Sequence, residues 1–483
     1  MVCCRDLTPK ADHSSLVNSP IAFPAASAID PPRAVRGMRD RFGLDMRKYR
    51  HVCQTGSEVA ELYDFDQIST PVLEYASVFE RTLGDESDIV GKELYTFTDK
   101  SDSRITMRPE GTAGIARALI TNNLTRALPQ KFYYYGPMFR HERPQKGRFR
   151  QFEQFGVELF GYNHPSSDVE VIDMAWTFLQ RLGLGGVVKL EINSLGDQDT
   201  RKRYKALLTE FLMDNVMGLS EDSTRRLRTN PLRVLDSKNP LDQDSIARAP
   251  LLTTHLTPFS RSRFDNVLAG LDACAIPYVV NPRLVRGLDY YEETVFEFVY
   301  SGKEEELGAQ QATVLAGGRY DKLVEVMSGK RESASGVGWA AGVDRLALLL
   351  PPALVPEPIP AITIVVVPSD DPILLPRLVN IALRVASRLR REHGLPTVVR
   401  YFEPERSQRL DRIVKRVADG GGKFMGFVNK DVMERGEGEW ISIKNLKNHR
   451  QEVMRVEEVA KWINRSGGDS GDDGGIIGGG GGD

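Results

Sequence analysis

Cysteine, long apolar runs and the common nucleotide-binding signatures are all scarce in this chain of 483 residues. Its four cysteines form no CxxC pair and lack histidines at metal-ligand spacing, which argues against structural zinc and a disulfide framework and favours a reducing compartment. No apolar run approaches the ~20 residues that a membrane-spanning helix needs. The sequence has neither a GxGxxG fingerprint nor a GxxxxGKS/T loop, so it predicts neither a Rossmann nor a P-loop nucleotide site.

The remaining composition is that of a soluble protein with several domains. Hydrophobic residues make up 41% of the chain and charged residues 27%. A net charge of −2 argues against nucleic-acid binding by the whole surface, although a local basic patch is still compatible with it. We therefore expect a soluble intracellular protein with no membrane contact, in either the cytoplasm or the matrix of an organelle.

Composition also predicts where the domains begin and end. Residues 1–36 are expected to be a leader, either an organellar transit segment or a disordered or inexactly defined start. Five prolines in ten residues predict a semi-rigid linker at 351–360. The other expected parts are an antiparallel-sheet domain over 37–350, a helix-rich insertion within it over 197–283, an α/β domain over 361–465 and a disordered Gly/Asp tail over 466–483.

Hydrophobic periodicity predicts the individual elements. In the first domain, strands are expected at 67–73, 106–108, 294–300 and 336–341, and helices at 113–120, 202–213, 266–273 and 343–350, with Thr112 as an N-cap. In the second domain, strands are expected at 362–367, 397–401, 423–428 and 439–444, and helices at 374–393, 407–418 and 456–463.

The most informative stretch is a basic turn between two strand-like runs. From residue 140 to 150 the turn carries Arg140, Arg143, Lys146, Arg148 and Arg150 against a single acid, Glu142. After the turn, Phe152, Gln154 and Glu158 alternate with apolar residues, and they therefore share one face of a strand. Guanidinium groups beside a ring, an amide and a carboxylate suit a polyanion next to a small polar molecule. The alternative is a solvated basic hairpin that protects a sheet edge.

Three further segments carry candidate chemistry. In MRPEGTAG, Glu110 stands at a helix entry, where it either receives an ammonium group or is only a capping residue. In LVRGLDYY, Arg286 precedes the hydroxyls of Tyr290 and Tyr291; the alternative is a turn with core tyrosines. In GVGWAAGVDRLALLL, a strand enters a helix whose first turns carry Arg345, a combination that indicates an anion site.

Together these segments resemble the histidyl-tRNA synthetases of bacterial or organellar type, which are class II aminoacyl-tRNA synthetases. FRHERPQKGR with RQFEQFGVELFG is similar to the second class motif, GVDRLALLL to the third, and Ser69-Thr70-Pro71 stands where the first, a dimer-interface element, belongs. LVRGLDYY and RPEGTAG are the family-specific segments. Asp64 departs from the pattern, since the family usually has glycine there.

The resemblance implies a class II catalytic domain with an antiparallel sheet flanked by helices, a helical insertion and a C-terminal anticodon-binding domain. It also implies the substrates L-histidine, ATP with Mg²⁺, and tRNA(His), and a homodimer. Arg140, Arg148 and Arg345 would bind ATP phosphates, Glu142 the adenine amino group and Phe152 the ring. The implied histidine-binding residues are Glu110, Gly111, Thr112, Gln154, Glu158, Arg286, Tyr290 and Tyr291.

The implied catalytic residues are Arg286, Arg140 and Arg345, because adenylate formation joins two anions and depends on charge neutralisation. Arg143, Gln145 and Lys146 would contact the tRNA acceptor end. A non-catalytic regulatory subunit of ATP phosphoribosyltransferase is the main alternative; such proteins typically lack the ATP arginines and the C-terminal domain, both present here. A kinase-linked sensor of uncharged tRNA ranks lowest, because the chain has no kinase glycine loop or HRD motif.

Overall fold

The computed structural model describes residues 32–84, 89–302, 307, 312–330, 334–356, 361–367, 371, 373–400 and 410–467. Contacts divide the chain into two compact units, the first ending at Val355 and the second beginning at Pro356. Most of the predicted leader and tail, the end of the predicted linker and the start of the helix predicted at 407–418 lie outside the described residues.

Eleven strands are described in the first unit, and they form two sheets. In chain order they are β1 (Asp66–Gln67), β2 (Leu73–Tyr75), β3 (Thr96–Thr98), β4 (Arg104–Met107), β5 (Gln130–Phe139), β6 (Gln151–Phe160), β7 (Val188–Ser194), β8 (Tyr278–Val280), β9 (Glu292–Tyr300), β10 (Thr313–Arg319) and β11 (Gly336–Gly342). The larger sheet has the order β1-β5-β6-β11-β10-β9-β7-β8. Its neighbours are antiparallel except at the two edges, where β1–β5 and β7–β8 pair in parallel.

Helices cover this sheet and connect its strands. They are α1 (Gly43–Leu62), α2 (Ala76–Leu83), α3 (Thr112–Thr121), α4 (Pro165–Arg181), α5 (Gln198–Asp214), α6 (Glu221–Thr229), α7 (Gln243–Arg248), α8 (Pro258–Ala273), α9 (Leu323–Ser328) and α10 (Val343–Leu349). The α5–α8 stretch is helix-rich, as the sequence predicts. Its last residues, however, form β8, which pairs with β7 and so belongs to the larger sheet.

The alternation in β6 determines which face of the larger sheet is core and which is site. Phe155, Val157 and Leu159 are fully buried in the core that includes α1 and α4. Every residue of β6 pairs with β5, from Gln130↔Phe160 to Phe139↔Gln151, and the strand alternation places Phe152, Gln154 and Glu158 on the opposite face. Glu153 shares the face of Phe155 and accepts a hydrogen bond from Arg41 (3.1 Å). The basic hairpin and the two-faced strand predicted from the sequence are both present.

The second unit contains a mixed five-stranded sheet in the order β13-β12-β14-β15-β16. Its elements are β12 (Ile362–Val366), α11 (Leu374–His393), β13 (Thr397–Arg400), α12 (Leu410–Asp419), β14 (Phe424–Val428), α13 (Lys430–Arg435), β15 (Trp440–Asn445), β16 (Gln451–Arg455) and α14 (Val456–Gly467). Strands β12 and β14 are buried throughout because α11 and α14 pack on one face and α12 on the other. The predicted α/β fold is therefore confirmed.

Some sequence-based expectations are wrong. The strand expected at 67–73 is two short strands, because Pro71 has no N–H to donate and the carbonyl of Thr70 accepts a hydrogen bond from Arg108 instead (2.9 Å). Thr112 is not an N-cap but the first residue of α3, after Gly111. Helices α1, α4 and α13 and strand β16 were not expected.

Candidate active site

A cavity of about 280 Å³ opens on the polar face of the larger sheet. Most of the residues that the sequence singles out line it: Glu110, Thr112, Arg140, Glu142, Arg148, Phe152, Gln154, Arg286, Tyr290, Tyr291 and Arg345. They come from the basic hairpin, the start of α3, the turn before β9 and the start of α10, so the fold gathers segments that are far apart in the chain.

The hairpin supplies two arginines at one end of the cavity. The Nε of Arg140 donates to the carbonyl of Pro109 (2.9 Å), and its guanidinium carbon lies 5.3 Å from the centroid of the Phe152 ring. Glu142 forms an ion pair with Arg148 and lies 3.8 Å from a terminal nitrogen of Arg140. Burial lowers the pKa of both arginines. An anion that reaches them therefore meets partly desolvated cations, for which electrostatic attraction is stronger than in water.

Arg345 adds a third cation to the same end. Its Nη1 donates to the carbonyl of Thr313 (2.6 Å). Burial, together with repulsion from Arg148 and Arg140, lowers the pKa of Arg345 to about 10. Three arginines that repel one another within one cavity are stabilised by a ligand with several negative charges.

The start of α10 is not itself the anion site that the sequence indicates. The carboxylate of Asp344 occupies the first turn of α10 and accepts hydrogen bonds from Arg39 (3.0 Å), Arg41 (2.8 Å) and the N–H of Glu153 (2.9 Å). The anion-binding group is therefore the Arg345 side chain and not the helix terminus.

At the other end of the cavity, two buried carboxyl groups meet the start of α3. Glu110 accepts hydrogen bonds from the N–H groups of Thr112 (2.7 Å) and Ala113 (2.9 Å), so it caps the helix while lining the cavity. Glu158 is 1% exposed and accepts hydrogen bonds from the hydroxyls of Thr112 (2.6 Å) and Tyr320. Burial raises the pKa of Glu110 and raises that of Glu158 to about 8.

The turn before β9 brings Arg286 and two tyrosines over the cavity. Arg286 forms an ion pair with Glu297, and Glu297 also accepts a hydrogen bond from the Thr313 hydroxyl (2.7 Å). Burial alone would lower the pKa of Arg286, but the Glu297 carboxylate more than offsets it and the pKa is raised. The rings of Tyr290 and Tyr291 lie 4.6 Å apart between centroids. Arg286 is thus a permanent cation beside two hydroxyl-bearing rings.

The other predicted residues lie around the cavity without lining it. A Cβ at Gly111 would stand 2.2 Å from the ring of Tyr134, so only glycine fits there. Arg143, Gln145 and Lys146 are exposed at the hairpin tip, where the backbones of Gln145 and Arg148 exchange hydrogen bonds of 3.0 and 2.9 Å.

Sequence reasoning missed two residues of this site. Tyr320 bonds to Glu158 although it lies 162 positions away in the chain, and only the packing of β10 beside β11 brings them together. Glu297 had a local signal, because it is an acid between the apolar residues of β9.

The described residues contain neither a metal-binding cluster nor a membrane-spanning helix. In that part of the chain, no group of three or more His, Cys, Asp or Glu side chains could hold a metal ion. None of the helices there is long and apolar enough to span a bilayer.

An antiparallel sheet with a basic hairpin, followed by a glycine-rich strand and an arginine-bearing helix, defines the catalytic domain of a class II aminoacyl-tRNA synthetase. The family model for histidyl-tRNA synthetase matches residues 37–346. The chain belongs to the histidyl-tRNA synthetase family.

Relatives of this family match almost the whole chain. Histidine–tRNA ligase of Rhodospirillum rubrum is 46% identical over 425 residues, which cover 87% of this chain and 98% of the relative. That of Gluconobacter oxydans is 43% identical over 437 residues, covering 90% and 99%. The crystal structure of apo S. aureus histidyl-tRNA synthetase aligns with a TM-score of 0.70 at 30% identity, covering 90% of this chain and 100% of that one. An ATP phosphoribosyltransferase regulatory subunit/histidyl-tRNA synthetase from Bacillus halodurans shares the fold, with a TM-score of 0.53 and 21% identity over 80% of this chain and 96% of that one.

Proposed function

We propose that the chain activates L-histidine with ATP and transfers it to tRNA(His). The observation that carries this proposal is the division of one cavity into two ends: three arginines at one, and Glu110 and Thr112 beside two tyrosines at the other, with Glu158 buried directly behind Thr112. The first end suits a polyphosphate, and the second suits an ammonium group and a ring with polar nitrogens.

ATP binds at the arginine end. Arg140 holds the α-phosphate, and Arg148 and Arg345 hold the phosphates beyond it. Phe152 stacks on the adenine ring, and Glu142 accepts a hydrogen bond from the adenine amino group after its ion pair with Arg148 opens. Arginine suits these roles because its planar guanidinium matches phosphate oxygens in pairs and stays charged.

Histidine binds at the carboxyl end. Glu110, Thr112 and Gln154 receive the α-ammonium group, and Gly111 between the first two leaves room for the Tyr134 ring. Glu158 and Tyr291 address the imidazole nitrogens next to Tyr290. Tyr320 holds Glu158 in place. A site built to pair with polar nitrogens rejects apolar analogues by ~10⁴-fold or more, because its own buried groups would be left unpaired.

In the first step, a histidine carboxylate oxygen bonds to the α-phosphorus of ATP and the bond to pyrophosphate breaks. Both reactants are anions, so Arg140 and Arg286 act by neutralising charge on the α-phosphate and carboxylate, and no side chain needs to remove a proton. In the second step, a hydroxyl oxygen of the terminal tRNA ribose bonds to the histidyl carbonyl carbon, the bond from that carbon to the phosphate oxygen breaks, AMP leaves with the electron pair, and the hydroxyl proton passes to solvent.

The tRNA acceptor end enters through a neighbouring cavity of about 520 Å³. This cavity shares Arg140, Arg148 and Arg286 with the first. The helical segment, which comprises α5–α8 and the residues between them, lines its other side with Arg226 and Lys238. The exposed tip residues Arg143, Gln145 and Lys146 would contact the acceptor strand. The second unit, with its mixed sheet, would bind the anticodon.

Mg²⁺ accompanies ATP and takes oxygen ligands. Since the described residues offer no cluster of three or more acidic, His or Cys side chains, most of its ligands come from ATP phosphates and water.

A homodimer is part of the proposal. Leu73, Tyr75 and Phe97 are 49%, 61% and 45% exposed, and pairing of β2 and β3 with β4 puts them in one apolar row. A second copy would cover this row. We expect a dimer by light scattering and a shift toward monomer for Tyr75→Asp; a monomeric native protein would contradict this.

The test of the activity is exchange of labelled pyrophosphate into ATP. We expect exchange with L-histidine and only background exchange with the other amino acids, followed by transfer of labelled histidine to tRNA(His). A protein that binds histidine without exchange would support the regulatory-subunit alternative instead.

A further inference from the structure

We infer that Arg201, on α5 of the helical segment, positions Tyr291 for histidine recognition although it does not line the histidine cavity. The inference rests on the proposed function, since it concerns the residue assigned to read the imidazole.

The turn that carries Arg286, Tyr290 and Tyr291 needs anchors from elsewhere. Residues 281–291 are all described, and they form turns rather than helix or strand. Without a ladder of backbone hydrogen bonds, such a segment is fixed by side chains that bond to it. One anchor comes from β7, where Asn193 donates to the carbonyl of Leu284 (2.9 Å).

The helical segment supplies further anchors. Arg283 reaches out to the carbonyl of Ala247 (2.8 Å), and the side-chain amide of Asn230 donates to the carboxylate of Asp289 (2.7 Å). The turn is therefore attached to the helical segment at both of its ends as well as to the sheet.

Arg201 makes the anchor nearest to the chemistry. Its Nη1 donates to the main-chain carbonyl of Tyr291 (2.8 Å), and its Nη2 lies 3.8 Å from a carboxylate oxygen of Glu292. Tyr291 is the last residue before β9, so this fork fixes the point at which the turn becomes strand. The guanidinium thus holds the main chain of Tyr291 by a hydrogen bond, and the Glu292 carboxylate beside it keeps the guanidinium in place by charge attraction.

The position of that main chain sets the position of the Tyr291 hydroxyl. The ring is buried and packs against those of Tyr290 and Tyr320, so it cannot compensate by turning on its own. A displacement of about 1 Å at a recognition group is worth up to ~10²-fold in rate or affinity. Arg201 therefore contributes to histidine binding through Tyr291 and not by contact.

The experiment measures KM for histidine and for ATP in pyrophosphate exchange with Arg201→Met, which keeps an aliphatic stem and removes both donors. We expect KM for histidine to rise at least tenfold while KM for ATP and the titrated active fraction change less than twofold. Arg201→Lys, which restores one charged donor, should recover part of the loss.

Arg203→Met is the matched control. Arg203 lies on the same helix, is exposed and donates to the carbonyl of Asp199 in that helix (3.3 Å), so its replacement should leave both KM values unchanged.

If Arg201→Met does not fold, the double variant Arg201→Met, Glu292→Gln removes the carboxylate that has lost its cation. This double variant should fold and should keep the raised KM for histidine. Equal KM for histidine in the folded variant and native protein would overturn the inference, as would a parallel rise in KM for ATP. Absence of histidine-dependent exchange in the native protein would refute the proposed function instead.

Discussion

The hydroxyl of Thr112 donates a 2.6 Å hydrogen bond to the carboxyl group of Glu158, joining the first residue of α3 to the C-terminal half of β6. The second oxygen of Glu158 is bonded to Tyr320. Two hydroxyls from distant parts of the chain thus fix a buried acid at the end of the cavity assigned to the imidazole, and its protonation state becomes a measurable property of the site.

The pKa of Glu158 predicts a pH dependence of stability. Burial raises it from 4.5 to about 8, so between these values the folded protein holds a proton that the unfolded chain has lost. Raising the pH across that window therefore favours unfolding, and the stabilisation present below pH 4.5 is gone above about 8. We expect the melting temperature of the native protein, relative to that of Glu158→Gln, to fall between pH 5 and 9. A constant difference between the two proteins would contradict this.

Thr112→Val keeps the shape of the side chain and removes its hydroxyl. A buried carboxyl group that loses one hydrogen bond is destabilised by about 1–3 kcal/mol, and part of this should appear as weaker histidine binding. We expect KM for histidine to rise about tenfold, which is about 1.4 kcal/mol. Thr121→Val, at the exposed end of the same helix, is the control and should leave KM unchanged.

Arg286→Ala should separate catalysis from stability. Loss of the guanidinium should reduce pyrophosphate exchange by about 10³-fold, the effect typical of removing one group that stabilises developing charge. It also leaves Glu297 without its ion pair, so the melting temperature should fall. The double variant Arg286→Ala, Glu297→Gln should recover the melting temperature and not the exchange rate. Recovery of exchange would show that Arg286 serves only to neutralise Glu297.

Asp64→Gly tests a position at which this chain departs from the glycine that is usual in the family and at which the backbone conformation favours glycine. Asp64 follows α1 with φ +61°, in the left-handed region that costs other residues ~1–2 kcal/mol relative to glycine. Glycine should therefore raise the melting temperature slightly, and Asp64→Val should lower it, in thermal scans at equal protein concentration. The opposite order of melting temperatures would mean that contacts of the Asp64 side chain stabilise the folded protein by more than its backbone strain destabilises it.

Sequence patterns predicted well the helices and strands whose signals come from residues close together in the chain. Helix α11 was predicted with both bounds, and β6 with both faces, because amphipathic periodicity and alternation are local signals. The prediction of one strand at 67–73 was wrong because Pro71 interrupts the backbone hydrogen bonding that its apolar neighbours favour. The assignment of Thr112 failed because Glu110 competes for the same backbone groups.

Other contacts could not be predicted because they depend on how distant segments meet. Tyr320 reaches Glu158 through the order of strands in the sheet, and Asp344 meets Arg39 and Arg41 more than 300 positions earlier in the chain. Neither pairing produces a residue spacing that can be recognised in a single sequence. The resemblance supplied the candidate residues, whereas the partners that hold them became visible only in three dimensions.

Several charged groups of the cavity have partners within the protein: Arg148 with Glu142, Arg286 with Glu297, and Glu110 with the N–H groups of α3. A ligand that binds Arg148 or Arg286 therefore competes with the carboxylate that already pairs with that arginine. A small anion such as chloride gains little, because it only replaces a carboxylate that is already in place. A triphosphate contacts several arginines at once and displaces their carboxylates together. The internal ion pairs thus favour ligands that carry several negative charges over ligands that carry one.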